Sequence, residues 1–464
     1  MSGPSAPPPL PPVPPKPPAR PGRVSLWRYV KLFRRDLLSA QPAKLYRAWM
    51  AEFKTPFFRS YLINQPELVD LVLKRRPRDF PKSNRVSEGL RPLLGNSVFS
   101  TNGAEWERQR RIIDPAFEGG RLREAYPAIA AAAEAAVARL APKAGGGPVE
   151  IEAETSFAAA DVIFRTLFSI PNEDRMARQV FEEFKTYQRS QPVVNLAAFF
   201  RLPKWMPRPF ARRTRRSAAV IRRLISDLTD KRAEALAAGT APNDLASKIM
   251  ATKDPITGLR FTASEMVDQV AIFFLAGHET SASALSWALY LMAMHPDYQE
   301  KVAGEGASLG PQAQFEDLRA LRVTRDVFRE TLRLYPPVPM MVREAAQAET
   351  FRGRDVTPGS QVVLSPWHLH RHGRLWDNPD GFDPERWHSE NGKQCQRSAF
   401  IPFSTGPRVC TGAGFAMLEG VLLLARLCAA YEFTPIAQKV PQPVAHLTVR
   451  SDRGIWLKLR PRDL

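Results

Sequence analysis

The stretch "FSTGPRVCTGAG", residues 403 to 414, sets Cys410 among glycines, with Arg408 two residues before it. The next residues, "TGAGFAMLEGVLLLARLCAAYEF", carry a helical pattern from about Gly412 to Ala430, so the thiol stands at a helix N-terminus. Partial positive charge and unpaired N–H groups there favour a thiolate over a thiol. Cys428 falls in the apolar stripe of the same helix and reads as packing, and Cys395, in the polar "NGKQCQRS", has no evident role. Three cysteines make no disulfide framework and suit a reducing compartment. A thiolate ringed by glycines is suited to three tasks. As a nucleophile it would want a His/Asn pair, and none stands out. Zinc would want several Cys or His ligands at short spacing. A single thiolate suits haem iron, where its electron donation favours O–O cleavage.

A second polar site interrupts an otherwise apolar run. From "FTASEMVDQV" the helical pattern continues through "AIFFLAGHETSASALSWALYLMAMHP" to Pro296, with Thr262 and Glu265 spaced as a capping box. About 32 residues at 1.5 Å each give a rod of roughly 48 Å, long enough to cross a domain. Gly277, His278, Glu279 and Thr280 break its middle. Either Thr280 bonds back to the Ala276 carbonyl and bends the helix slightly, or the helix opens to present an acid–alcohol pair to a reaction site. A further helix ends "DVFRETLRLYPPVPMMVRE", in which Glu330 and Arg333 share a face; such a spacing is ordinarily a surface pair worth ~0.2–0.5 kcal/mol.

These residues need a large scaffold, and the chain has 464 residues with 44% hydrophobic content. Most of it reads as helix, with strand signals at "SYLINQ" and "QVVLS" and a terminal hairpin in "HLTVRSDRGIWLKLRPR". The expected architecture is mainly α with small β-sheets. Residues 1–22 are half proline and read as a solvated tail, neither signal peptide nor anchor; residues 23–464 read as one domain. No run of 18 apolar residues occurs, so no transmembrane helix is expected, and the expected location is cytoplasmic. The formal net charge is +19, which attracts anionic partners. A nucleic-acid-reading motif is absent, so nucleic acid is not an expected partner. Two basic amphipathic stretches, "SLWRYVKLFRRDLL" and "KWMPRPFARRTRRSAAVIRRL", suit either docking on the core or peripheral membrane contact.

Taken in order, "WERQR" (106–110), "AGHETS" (276–281), "ETLR" (330–333), "PERW" (384–387) and "FSTGPRVCTG" (403–412) resemble the landmarks of the cytochrome P-450 family of haem-thiolate monooxygenases. The resemblance runs from about residue 44 to the C-terminus. It implies that haem b (iron protoporphyrin IX) lies between the long central helix and the cysteine-loop helix, with Cys410 as its axial ligand. It implies that Gly406 and Gly412 permit the tight cysteine loop, that Phe403 shields the sulfur, and that Arg408, Trp106, Arg110 and Arg343 hold the propionates. Glu330, Arg333 and Arg386 resemble a buried structural triad. Thr280 and Glu279 resemble the pair that guides protons to dioxygen; His278 has no comparable role, and His372 stands where an acidic residue is more usual, a departure expected to matter little. Phe273, Ala276, Val338, Met340, Met341 and Leu447 are implied to line the pocket for a hydrophobic substrate, possible candidates being fatty-acid-like molecules. The implied reaction is hydroxylation or epoxidation with dioxygen by a monomer. Electrons would come from an acidic ferredoxin or flavodoxin and its NAD(P)H-dependent reductase, because the chain ends soon after the last strand signal. Arg108, Arg111, Arg121, Arg123, Lys393 and Arg397 are expected to frame the docking face. The alternatives are a peroxide-using or rearranging haem-thiolate enzyme, and a non-catalytic haem sensor or lipid-binding protein.

Overall fold

The computed structural model describes residues 13–462 apart from 21, 23, 55–58, 119, 191–211 and 311. The chain is mainly helical and is organised around the helix Ala263–Met294, 32 residues long and mostly buried. Its start is as the sequence demands: Thr262 accepts from the Glu265 amide, and the Glu265 carboxylate accepts from the Thr262 amide. The helix Ile151–Phe168 crosses it closely. Gly277 is what permits this approach, since a Cβ there would meet Ile163 Cδ1 at 2.3 Å. The helix Ala413–Ala430 packs on its other side. This is also, among the described residues, the one helix long and apolar enough to cross a membrane, and most of it is buried within the protein.

Four strands form the main sheet, in the order Met50–Lys54, Arg59–Ile63, Gln361–Leu364, Met341–Glu344. The middle pair is parallel and the outer pairs antiparallel. The expected terminal hairpin does not form as one unit. Val449–Ser451 pairs with Pro443–Ala445, whereas Trp456–Pro461 pairs with Tyr431–Pro435 and Val149–Glu150. The turn at Gly454, with φ of +76°, parts the two segments. Leu457 and Leu459 are buried, which pulls the last strand onto partners from the core.

The helix Leu26–Arg35 docks through half-buried Tyr29, Val30, Leu32 and Phe33, leaving Trp27 80% exposed beside Arg28 and Lys31. The second basic stretch lies outside the described residues up to 211 and continues as the helix Arg212–Ala237. Residues 1–12 of the expected tail lie outside the described residues; in the part that follows, Pro14 and Pro17 are buried against the body.

Candidate active site

The central helix runs unbroken through Gly277–Thr280, so of the two readings the back-bond is the one that forms. The Thr280 hydroxyl donates to the Ala276 carbonyl at 2.5 Å. What distinguishes this region is exposure. Ala276 is exposed and Phe273, Gly277 and Thr280 are half-buried, in a helix whose other faces are buried. Residues 273, 276, 277 and 280 share one helical face, so that face is not fully covered by protein and is open to a bound group. Phe117 links it to the cysteine-loop helix, its ring centre 5.7 Å from that of Phe273 and 6.4 Å from that of Phe415.

Glu279 points elsewhere. Its carboxylate accepts from Thr448 Oγ1 at 2.7 Å, Arg450 Nη2 at 2.9 Å and Gln188 Nε2 at 3.0 Å. The expected acid–alcohol pair is thus divided: Thr280 stands on that open face, while Glu279 ties the central helix to the final strands and to the helix Arg175–Ser190. His278 is buried and bonded to Ser156 at 2.7 Å, and burial pushes its ring down to about 3, so it stays neutral.

On the facing side, Cys410 is exposed in surface area yet surrounded by enough protein that burial raises its thiol pKa. The two facts agree if the sulfur faces an enclosed space and not bulk water. The Gly412 amide hydrogen-bonds the sulfur and, with Arg110 and Lys82, opposes that rise. Burial prevails over the helix terminus, contrary to the expectation of a favoured thiolate. Gly406 is indispensable to the loop: its φ is +73°, and a Cβ would meet the Leu73 carbonyl oxygen at 2.0 Å. Gly412 is not, because a Cβ there meets no protein atom within 4 Å; its contribution is its N–H. The Cys410 amide donates to the Phe403 carbonyl at 2.9 Å, which closes the loop.

Beside the thiol lies a cluster of cations. Arg408 stacks on Trp106 at 4.1 Å and donates to Asn102 Oδ1 at 2.7 Å. Arg110 donates to the Val409 carbonyl at 2.8 Å and pairs with Asp114. Arg343 is buried, and burial pulls its guanidinium down to about 10. Arg408 is also brought to about 10, first by burial and then by Arg343 and Arg110. Lys82, which the sequence reading missed, completes the group. Its amide bonds Asn102 at 3.0 Å and its ammonium bonds the Phe99 carbonyl at 2.9 Å. Burial and the three arginines hold that ammonium well below its usual pKa. Arg408 Nη1 is buried with no partner. Four crowded cations with a spare donor fit a group bearing two carboxylates, and the thiol with its amide donor fits an adjacent iron.

The proposed pocket residues do not all converge. Met340 packs with the central-helix core and Met341 with the separate core beneath the main sheet. Met341 opens the strand Met341–Glu344 and Met340 precedes it, so these neighbours serve different cores. Leu447 is 40% exposed, and Val338 is half-buried.

Glu330, Arg333 and Arg386 do come together, all within 4% exposure. Arg333 grips Glu330 with two bonds, at 2.9 and 2.7 Å, and Arg386 adds a third at 2.9 Å. The expected docking cations are less available. Arg108 pairs with Glu265, Arg111 with Asp254, Arg121 with Glu124 and Arg123 with Glu316. Only Lys393 and Arg397 of that set are exposed without an ion pair among the described residues.

Glu419 is a second residue missed in the sequence. It is buried on the cysteine-loop helix, accepts from Ser281 Oγ at 2.7 Å, and burial raises its carboxyl to about 8. It is therefore neutral at pH 7. The folded protein holds this proton more tightly than the unfolded chain, whose glutamate ionises near ~4.3. Stability then falls as pH rises from that value towards 8, by at most ~1.4 kcal/mol per pH unit for this one proton. Glu419→Gln keeps a neutral acceptor for Ser281 and removes this dependence. Its thermal midpoint should rise relative to the parent's between pH 5 and 8, and parallel curves would contradict the assignment.

The family model described as Cytochrome P450 matches residues 36–458. The cyclooctat-9-en-7-ol 5-monooxygenase of Streptomyces melanosporofaciens is 32% identical over 415 residues, covering 87% of this chain and 86% of that protein. The pentalenene oxygenase of Streptomyces avermitilis is 30% identical over 412 residues, covering 87% and 88%. Among solved structures, the cytochrome P450DA heme domain superposes with a TM-score of 0.78 at 23% identity, over 97% of this chain and 98% of that one. That last likeness concerns the fold.

Proposed function

The chain belongs to the cytochrome P450 family and is a monooxygenase, and on that premise we propose that it hydroxylates or epoxidises a hydrophobic substrate in the space between Thr280 and Cys410. The family implies a cysteine-ligated haem. The observation that carries the assignment to this site is the cation cluster Lys82, Arg110, Arg343 and Arg408 beside Cys410, with the spare Arg408 Nη1. In this reading those four side chains and Trp106 hold the propionates of haem b. Cys410 supplies the thiolate, since a coordinated thiol is deprotonated outright whatever burial does to the free one. The haem, when bound, supplies the activation of dioxygen and the transfer of one oxygen atom.

The protein's share is placement and proton supply. Phe273, Ala276, Val338 and Met340 give apolar contact that orients a substrate without hydrogen bonds. Thr280 Oγ1, already polarised by its bond to the Ala276 carbonyl, holds the proton delivered at the reaction site. Glu279 contributes to that delivery only by leaving Arg450. The substrate class is hydrocarbon-rich. A fatty-acid-like chain is one form of it, and the relatives named for cyclooctat-9-en-7-ol and pentalenene favour a ring skeleton. We place the protein in the cytoplasm, with electrons arriving from an acidic ferredoxin or flavodoxin attracted by the +19 charge and, locally, by Lys393 and Arg397.

Reconstitution with an acidic ferredoxin and its reductase tests this reading, using substrates found by their shift of the haem spin state. Reduction should slow as salt screens the encounter. Thr280→Ala should bind haem and substrate as before while product per NAD(P)H falls several-fold and hydrogen peroxide rises. An unchanged yield would refute the proton role of Thr280.

A further inference from the structure

The proline segment meets a receptor built for it. Pro14 and Pro17 are buried, while Val13 and Pro18 are exposed. A polyproline II helix repeats every three residues, so this spacing turns one face of such a helix to the protein. Prolines have no N–H, and their carbonyls are the remaining backbone handle. The Tyr335 hydroxyl donates to the Pro15 carbonyl at 2.9 Å. The Lys16 ammonium pairs with Asp380 at 2.6 Å and lies 4.5 Å from the centre of the Tyr46 ring. Beyond it, the Arg20 amide donates to the Gln41 carbonyl at 3.1 Å, and the Ala43 amide donates back to Arg20 at 3.0 Å.

The receptor side is held by the core and not by the segment. Tyr335 stacks on Trp287 of the central helix at 4.0 Å and 11°. The Tyr46 hydroxyl accepts from Trp367 Nε1 at 2.8 Å. A tyrosine hydroxyl for a proline carbonyl, with an aromatic ring and an acid for the nearby cation, is chemistry that suits a proline-rich ligand followed by a positive charge. The sequence has the matching form, with Pro11, Pro14 and then Lys16.

We propose that the surface formed by Tyr46, Tyr335 and Asp380 is a polyproline-recognition site selective for a following cation, and that its resident ligand is this chain's own residues 13–18. The segment enters it already extended, so little conformational entropy opposes docking. Lys16 provides the selectivity, through the ion pair and the ring contact together.

Two measurements on the full-length chain test the site. In the unaltered protein, acetylation followed residue by residue should find Lys16 at least about tenfold slower than Lys31, because a charge-assisted hydrogen bond is worth about that factor or more. Lys31 is exposed and has no ion pair among the described residues. In the second, a fluorescent peptide of residues 11–20 is added to the full chain carrying Pro14→Gly and Lys16→Glu, which clears the site. The peptide should bind this variant, bind the unaltered protein at least tenfold more weakly, and lose its binding when its own lysine becomes glutamate. Equal acetylation of Lys16 and Lys31 overturns the proposal, as does a peptide that fails to distinguish the two proteins.

Discussion

Arg333→Ala is expected to destabilise the protein by about 3–5 kcal/mol, the range for stranding one member of a buried ion pair. The loss has two parts. Glu330 keeps Arg386 and the Asp383 amide but loses its two-pronged partner. The carbonyls of His370, Pro379 and Gly381, which Arg333 satisfies at 2.9, 2.6 and 2.8 Å, lose that donor inside the core. Lysine does not repair this, since one ammonium cannot reproduce a planar fork spread over five acceptor oxygens. Against a total stability of about 5–15 kcal/mol, the change removes a large share. Urea unfolding of Arg333→Ala and Arg333→Lys measures it. Both midpoints should fall sharply, and a loss below about 1 kcal/mol in either would show that the triad is incidental to the fold.

Features set by local chemistry were legible in the sequence. The Thr262–Glu265 box, the length of the central helix and the helix after Cys410 depend on residues within a few positions, and all stand where the pattern puts them. Features set by distant partners were not. Lys82 carries no periodic signal; a bridge to Arg343 and the Asn102 side chain place it beside Cys410. The terminal alternation looked like a hairpin, but the choice of strand partner is non-local, and buried Leu457 and Leu459 decided it. Proline content said only that the N-terminal segment has no core of its own. Its receptor includes Tyr335, 320 residues away along the chain. Glu330 and Arg333 looked like a surface pair because spacing does not report burial; Arg386 entered only through the family resemblance. Met340 and Met341 are adjacent and chemically identical yet pack against different cores, a division that residue type does not report.

The central claim, that Cys410 is the thiolate ligand of a haem monooxygenase, concerns one sulfur among three. Cys428 is buried in the core, where burial pushes its thiol up to about 12. Cys395 is buried, donates to the Leu375 carbonyl at 3.2 Å, and is pushed up to about 11. Arginines act on all three thiols, but Cys410 alone is exposed, and it alone has a backbone amide, that of Gly412, directed at its sulfur. A serine hydroxyl gives up its proton far less readily and donates more weakly to iron, so Cys410→Ser removes the electronic character of the ligand while changing one atom. The most direct measurement is the absorption spectrum of the reduced carbon monoxide complex, taken for the parent and for the three single Cys→Ser variants. The parent, Cys395→Ser and Cys428→Ser should show the red-shifted Soret band of thiolate ligation, and Cys410→Ser should lose it. A red-shifted band that persists in Cys410→Ser, or disappears in either of the other two, would contradict the assignment.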